Sequence, residues 1–148
     1  MNRRAKVKEL FINAIILQFI IILAAGYAAY LVFLYPNYSD EFGFGREIEL
    51  GVEGLNMLLT TGRTASTLTI QSELPVEVYL DNQLIASGSD INIRLGPYRF
   101  HNMSIVPSDE TKIYIKLINE IPIWELMLSL LVIALVLPMY ITNVRRLR

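Results

Sequence analysis

Two long apolar runs bracket a stretch in which apolar and polar residues alternate. The first run, Leu10 to Leu34, covers 25 positions; the second, Ile121 to Ile141, covers 21 and carries Glu125 as its only formal charge. A helix needs about 20 mostly apolar residues to cross a hydrocarbon core of roughly 30 Å. Lipid leaves backbone N–H and C=O groups without partners, so runs of this kind are read as helices. Pro36 closes the first run, and Pro122 suits the first turn of the second, where no intrahelical N–H bond is lost.

From Glu47 the period changes to two. Ile48, Leu50 and Val52 alternate with Glu47, Glu49, Gly51 and Glu53, the pattern of a half-buried strand. Leu55 to Thr61 is readable as a strand or a short helical turn. Thr64 to Ser72 is β-branched, with Leu68 and Ile70 on one face. Val76, Val78 and Leu80 then alternate with Glu77, Tyr79 and Asp81 before the chain turns back through Gln83–Ser87. A two-residue turn at Asp81-Asn82 sets Val78 opposite Ile85 and Tyr79 opposite Leu84, and both turn residues tolerate the positive φ of a type I′ turn. Ile91, Ile93 and Leu95 form the next alternating strand, ended by Gly96-Pro97. A two-residue turn there would oppose Arg94 and Arg99, so a longer turn or a bulge is expected. Tyr98 to Val106 returns, Pro107-Ser108-Asp109 turns, and Lys112 to Leu117 is the last strand.

The flanks of the two runs suggest an orientation. Arg3, Arg4, Lys6 and Lys8 precede the first, and Arg145, Arg146 and Arg148 follow the second. The positive-inside rule puts both ends in the cytoplasm. Tyr27, Tyr30 and Tyr35 gather at the far end of the first run; Trp124 and Tyr140 stand at the two boundaries of the second, where interfacial aromatics belong. The expected organisation is a cytoplasmic basic N-terminus (1–9), transmembrane helix 1 (10–35), a linker (36–46), an extracytoplasmic β domain (47–119), transmembrane helix 2 (120–142) and a cytoplasmic basic tail (143–148). In the linker, Phe42 and Phe44 are placed to dip back into the interface. A cleaved signal peptide ending near Ala24, Ala25 and Gly26 is the competing reading, disfavoured because the apolar run continues through Tyr27–Leu34.

Composition sharpens this picture. The 148 residues are 53% apolar with a mean hydropathy of +0.43, beyond an ordinary soluble domain. The overall net charge of −1 hides a partition: the segment between the helices holds six basic residues against twelve acidic ones, a net of −6. An acidic outer domain argues against nucleic acid as a partner, since phosphate contacts need clustered Lys and Arg. There is no cysteine, which excludes disulfides, thiolate metal sites and a cysteine nucleophile. The fold class expected is a membrane protein of α+β type, two transmembrane helices flanking a small antiparallel β-sandwich outside the cytoplasm.

Within Thr67–Leu117, the strings LTIQS, Pro75 followed by VEVYLD, and LGPYRF resemble the small β-sandwich repeats called PEGA domains, found on surface and envelope proteins. The last two stand where that family has V-x-V-D-G and L-x-x-G-x-Y-x-x. The PEGA string itself is absent, and Asn82 occupies the position of the family's turn glycine. The resemblance covers about a third of the chain and implies a non-catalytic binding or spacing module.

Candidate chemistry is sparse. The single histidine, His101, lies near Ser87, Ser89 and Asp90 in sequence, but no nucleophile-elbow spacing accompanies it, and a surface histidine is the expected reading. No cofactor and no metal are expected; calcium on surface acids is the remaining option. Asn37-Tyr38-Ser39 and Asn102-Met103-Ser104 are glycosylation sequons in the outer segment. Asn13 and Gln18 are polar positions within the first run and are expected to face a partner helix, although Asn13 lies close enough to the cytoplasmic end to reach headgroups. Ala24/Ala28 and Ala25/Ala29 provide small-xxx-small spacing for close helix approach. Glu125 is expected at the interface, favoured by the helix dipole and headgroup water.

The leading functional expectation is a non-enzymatic accessory or structural subunit of a membrane complex. It would pack against a membrane-protein partner, or a second copy, through its helices and cap the outer face with its acidic domain. A cell-surface binding or adhesion module, with Tyr79, Tyr98, Phe100 and Tyr114 as candidate contacts, and a small homo-oligomeric channel are the alternatives.

Overall fold

The computed structural model describes residues 3–147, with side chains described from residue 7. Arg148 and the side chains of Arg3, Arg4 and Lys6 therefore lie outside the described residues. The chain forms two compact units, a helical one up to Phe33 and from Pro122 onward, and a β unit spanning Leu34–Ile121.

The helical unit consists of α1 (Arg3–Ala29) and α2 (Ile123–Leu147), packed against each other. α1 continues into a π-helical turn, Tyr30–Leu34. Most of its less exposed residues, Leu10, Ala14, Leu17, Ile21, Ala24, Ala28 and Leu31, recur at alternating spacings of four and three, with Ile20 beside them. On α2 the same rhythm runs through Leu126, Ser129, Ile133, Val136, Tyr140, Asn143 and Leu147. Such a heptad rhythm is what keeps one stripe of a helix facing a neighbour along its length. The rest of both helices exposes Ile, Leu, Phe, Met and Val side chains. Pro138 sits inside α2, and the Thr142 hydroxyl donates to the Pro138 carbonyl at 2.8 Å.

The β unit is a six-stranded antiparallel sheet: β1 (Arg46–Leu50), β2 (Leu55–Thr60), β3 (Ser66–Leu80), β4 (Gln83–Leu95), β5 (Phe100–Pro107) and β6 (Thr111–Asn119). The ambiguous segment after Gly54 is thus a strand. β1 ends at Leu50, and Val52, expected in that strand, is 62% exposed in the turn that follows. The two segments read as separate strands before Asp81 form one 15-residue strand, β3, with a register shift between Gln71 and Val76. This strand organises the sheet. Its first part, Ser66–Ser72, pairs with β6, which carries β1 on its other edge; its last part, Val76–Leu80, pairs with β5, which carries β2. β4 runs beside both parts.

All six strands contribute to a single core that includes Leu50, Leu59, Leu68, Ile70, Val78, Ile93, Met103, Ile105 and Ile115. A flat sheet cannot enclose one core; the strands curl as a half-barrel, with the β3 shift at its bend. Phe42 also belongs to this core at 4% exposure, which corrects its expected place at the membrane interface. The Ser39–Gly43 bridge, together with Phe42 N–H donating to Ser39 Oγ at 3.0 Å, folds the linker so that this ring points inward. Phe44, two residues on, stays exposed and meets Tyr38 edge to face.

The β3–β4 hairpin turns at Asp81 and Asn82, with φ of 52° and 66°. Tyr79 pairs with Leu84 as the alternation requires, but Val78 faces Ala86 rather than Ile85, because a bulge intervenes between Val78 and Tyr79. Residues 96–99 are not a hairpin turn at all. β4 and β5 do not pair; β5 lies on the opposite edge of β3, and the connection crosses over.

Candidate functional site

Tyr27 of α1 meets the polar groups at the start of α2. Glu125 lies in its first turn, where the unsatisfied N–H groups favour a negative charge. The Tyr27 hydroxyl of α1 donates to its carboxylate, a charge-assisted bond between residues 98 positions apart. Tyr27 also stacks on Tyr30, with ring centroids 6.1 Å apart. One turn further, the Ser129 hydroxyl donates to the Glu125 carbonyl at 3.0 Å and is 6% exposed. A hydroxyl that bonds its own helix four residues back needs no other partner in an apolar setting.

The expected helix-packing residues divide between two faces. Ala24 and Ala28 are half-buried on the stripe of α1 that the heptad rhythm defines, whereas Ala25, Ala29, Gln18 and Asn13 are exposed. At 100° per residue, Gln18, Ala25 and Ala29 fall on one line along α1, about a quarter-turn from the α2 stripe. Of the expected interfacial aromatics, Trp124 is 88% exposed, Tyr30 is 43% exposed and Tyr140 is half-buried. Tyr35, in the β unit, shares a 2.8 Å hydrogen bond with the Thr64 hydroxyl and lies under the Arg63 guanidinium, 5.1 Å from its ring centroid.

In the β unit, the two sequon asparagines differ in setting. The Asn37 side-chain carbonyl accepts from Lys116 Nζ at 3.2 Å, while Asn102 is exposed. His101 is paired with Asp81 rather than with a serine. Its Nδ1 donates to Asp81 Oδ2 at 2.7 Å, and Asn102 N–H donates to the other oxygen at 3.0 Å. The histidine bond first, and the backbone bond second, hold the Asp81 carboxyl below its ordinary value of 3.8. The turn aspartate thus fastens the hairpin tip to β5. No sequence spacing signalled this pair; it exists because β3 and β5 are neighbours.

An open cleft of about 400 Å³ is lined by Glu49, Leu50, Gly51, Glu73, Glu110, Thr111 and Lys112. Lys112 Nζ lies 3.1 Å from Glu49 Oε1, and that contact raises the ammonium above its ordinary pKa. Among the described residues no group of three His, Asp or Glu side chains is arranged to hold a metal ion. The Thr111 hydroxyl is engaged as well, accepting from Leu74 N–H at 3.2 Å.

The fold is therefore α+β, with two helices long and apolar enough to cross a membrane flanking a curled antiparallel sheet. No protein-family model matches the sequence, and no curated protein matches it. Among solved structures, a de novo designed double-stranded β-helix determined by solution NMR is similar at 10% identity, over 51% of this chain and 97% of that one, with a TM-score of 0.37.

Proposed function

We propose that this chain is a non-enzymatic accessory subunit of a membrane complex, anchored by α1 and α2 with both termini in the cytoplasm and the acidic β unit outside. The observation that carries the reading is the exposed line of Gln18, Ala25 and Ala29 on α1, set apart from the stripe that serves α2. A side-chain amide in hydrocarbon is costly unless another helix satisfies it, and small residues beside it let a backbone approach closely. α2 uses a different face, so the occupant of this line is another helix, from a partner protein or a second copy. The β unit then caps that assembly as a PEGA-like sandwich whose two strand sets share β3 and β4. Its support is the enclosed core together with the VEVYLD and LGPYRF strings at the hairpin and crossover.

Extraction in mild detergent followed by native mass analysis tests the reading. A species larger than the monomer is expected, reduced by Gln18→Leu combined with Ala25→Leu. A lone chain under several gentle conditions would instead favour the surface-module reading, to which the exposed Tyr98 and Phe100 would then belong.

A further inference from the structure

The crossover between β4 and β5 is held by backbone and side-chain hydrogen bonds although its residues are exposed. Thr61, 3% exposed, donates its hydroxyl to Gly96 O at 2.7 Å and accepts from Arg99 N–H at 2.9 Å. Thr61 N–H donates to Arg99 O at 2.9 Å, and Tyr98 N–H donates to Gly62 O at 2.8 Å. Within this clamp Tyr98 holds φ at 52°, the left-handed region that a bulky L-residue enters only at a cost. That cost brings no core packing: the Tyr98 side chain is 74% exposed, and Phe100 beside it is 70% exposed. Strain persists where surrounding structure enforces it, and an outlier of this kind is a pointer to use. Two rings are thus held outward on a fixed backbone.

Their place in the β unit says what they meet. A Cβ at Gly62 would lie 3.7 Å from the Tyr35 hydroxyl, and Tyr35 is the residue that follows the π-helical turn. Asn119 N–H donates to Pro36 O, and Glu120 N–H donates to Ala65 O, at 2.9 and 2.8 Å. The crossover therefore lies at the end of the β unit where the chain arrives from α1 and leaves for α2. Arg63, Arg94 and Arg99 lie close to this end, although the segment between the helices is net −6. Arg94 is paired with Glu120 at 2.6 Å. Arg99 is exposed, between the two rings in sequence.

We infer that Tyr98, Arg99 and Phe100 dock the β unit onto the phospholipid headgroup layer of the bilayer that α1 and α2 cross; this rests on the membrane-spanning reading above. Tyrosine and phenylalanine rings enter the interfacial zone, and the guanidinium pairs with lipid phosphate through parallel hydrogen bonds. Because the unit is tethered to its own anchors, a contact too weak to hold a free domain is sufficient to hold this one.

The test uses the full chain reconstituted in phosphatidylcholine–phosphatidylglycerol vesicles. The chain has one tryptophan, Trp124, so Trp124→Phe with Tyr98→Trp moves the indole to the crossover. Quenching is read with lipids brominated near the top of the acyl chain and with aqueous acrylamide. The expected result is strong lipid quenching and poor acrylamide access at position 98, with Arg99→Glu reducing the lipid quenching severalfold. An indole at 98 that is open to acrylamide and untouched by brominated lipid would overturn docking if Trp124 in the wild-type chain is lipid-quenched. If Trp124 is also untouched, the membrane-spanning reading falls, and docking falls with it. Quenching at 98 that Arg99→Glu leaves unchanged would overturn the phosphate contact.

Discussion

At Thr61 one hydroxyl serves the backbone on both sides of the crossover, donating to Gly96 O and accepting from Arg99 N–H. Replacing it by valine keeps the shape and removes the side-chain bond that Gly96 O and Arg99 N–H each make. Thr61→Val is expected to cost about 1–3 kcal/mol, measured by thermal unfolding of the full chain in detergent, with the crossover losing its protection from hydrogen exchange first. Asp81 works differently, because it is exposed and its bonds are made through charge. Its carboxyl is held below its ordinary value, so its contribution is present above the unfolded pKa and is lost as pH falls through the folded one. Acidification should therefore loosen the hairpin tip. An NMR titration is expected to place Asp81 below 3.8 in the wild-type chain and nearer its ordinary value in His101→Phe. Neither contact was legible in the sequence: Thr61 closed a segment readable as a strand or a short helical turn, and His101 read as a surface histidine. Both depend on which strands the fold makes neighbours.

Among the elements, the apolar runs were read correctly as helices long enough to cross a membrane, yet their facing stripes were not legible. When nearly every position is apolar, hydropathy has no period, and only packing distinguishes Ala24 from Ala25. The Tyr27–Glu125 bond ties α1 to α2 beside this stripe. A double-mutant cycle of Tyr27→Phe and Glu125→Gln is expected to return a coupling of about 0.5–2 kcal/mol, in the range of hydrogen bonds between membrane helices. No coupling would mean that the contact does not contribute. In the β unit, strand positions followed period two closely, whereas pairing did not follow sequence order. Ile70, fully buried on β3 between β4 and β6, tests that arrangement. Ile70→Ala is expected to cost about 2–5 kcal/mol, as large-to-small changes in closed cores do.

For the whole molecule, the partition of charge supports the proposed orientation: basic residues flank the apolar helices on their outer sides, and acids dominate the segment between them. The chain has no cysteine, so single cysteines report cleanly on sidedness. In intact cells, a membrane-impermeant maleimide is expected to label Ser89→Cys and to spare Leu147→Cys; the reverse pattern would invert the topology. The linker shows how local reading misplaces a residue at this scale. Phe42 and Phe44 are two positions apart and chemically alike, but the Ser39–Gly43 bridge sends one into the core and leaves the other exposed.

What the sequence determined by itself is whatever depends on composition within one segment. The apolar runs, the flanking charges and the alternation of the strands each follow from local hydrophobicity, and each survives any choice of topology. The tertiary structure decided which strands are neighbours, and with that the β3 strand shared by both halves of the sheet, the crossover at 96–99, the Asp81–His101 pair and the outward hold on Tyr98. These depend on contacts between residues distant in the chain, whose energies arise only when the core closes and therefore leave no periodic trace in the sequence.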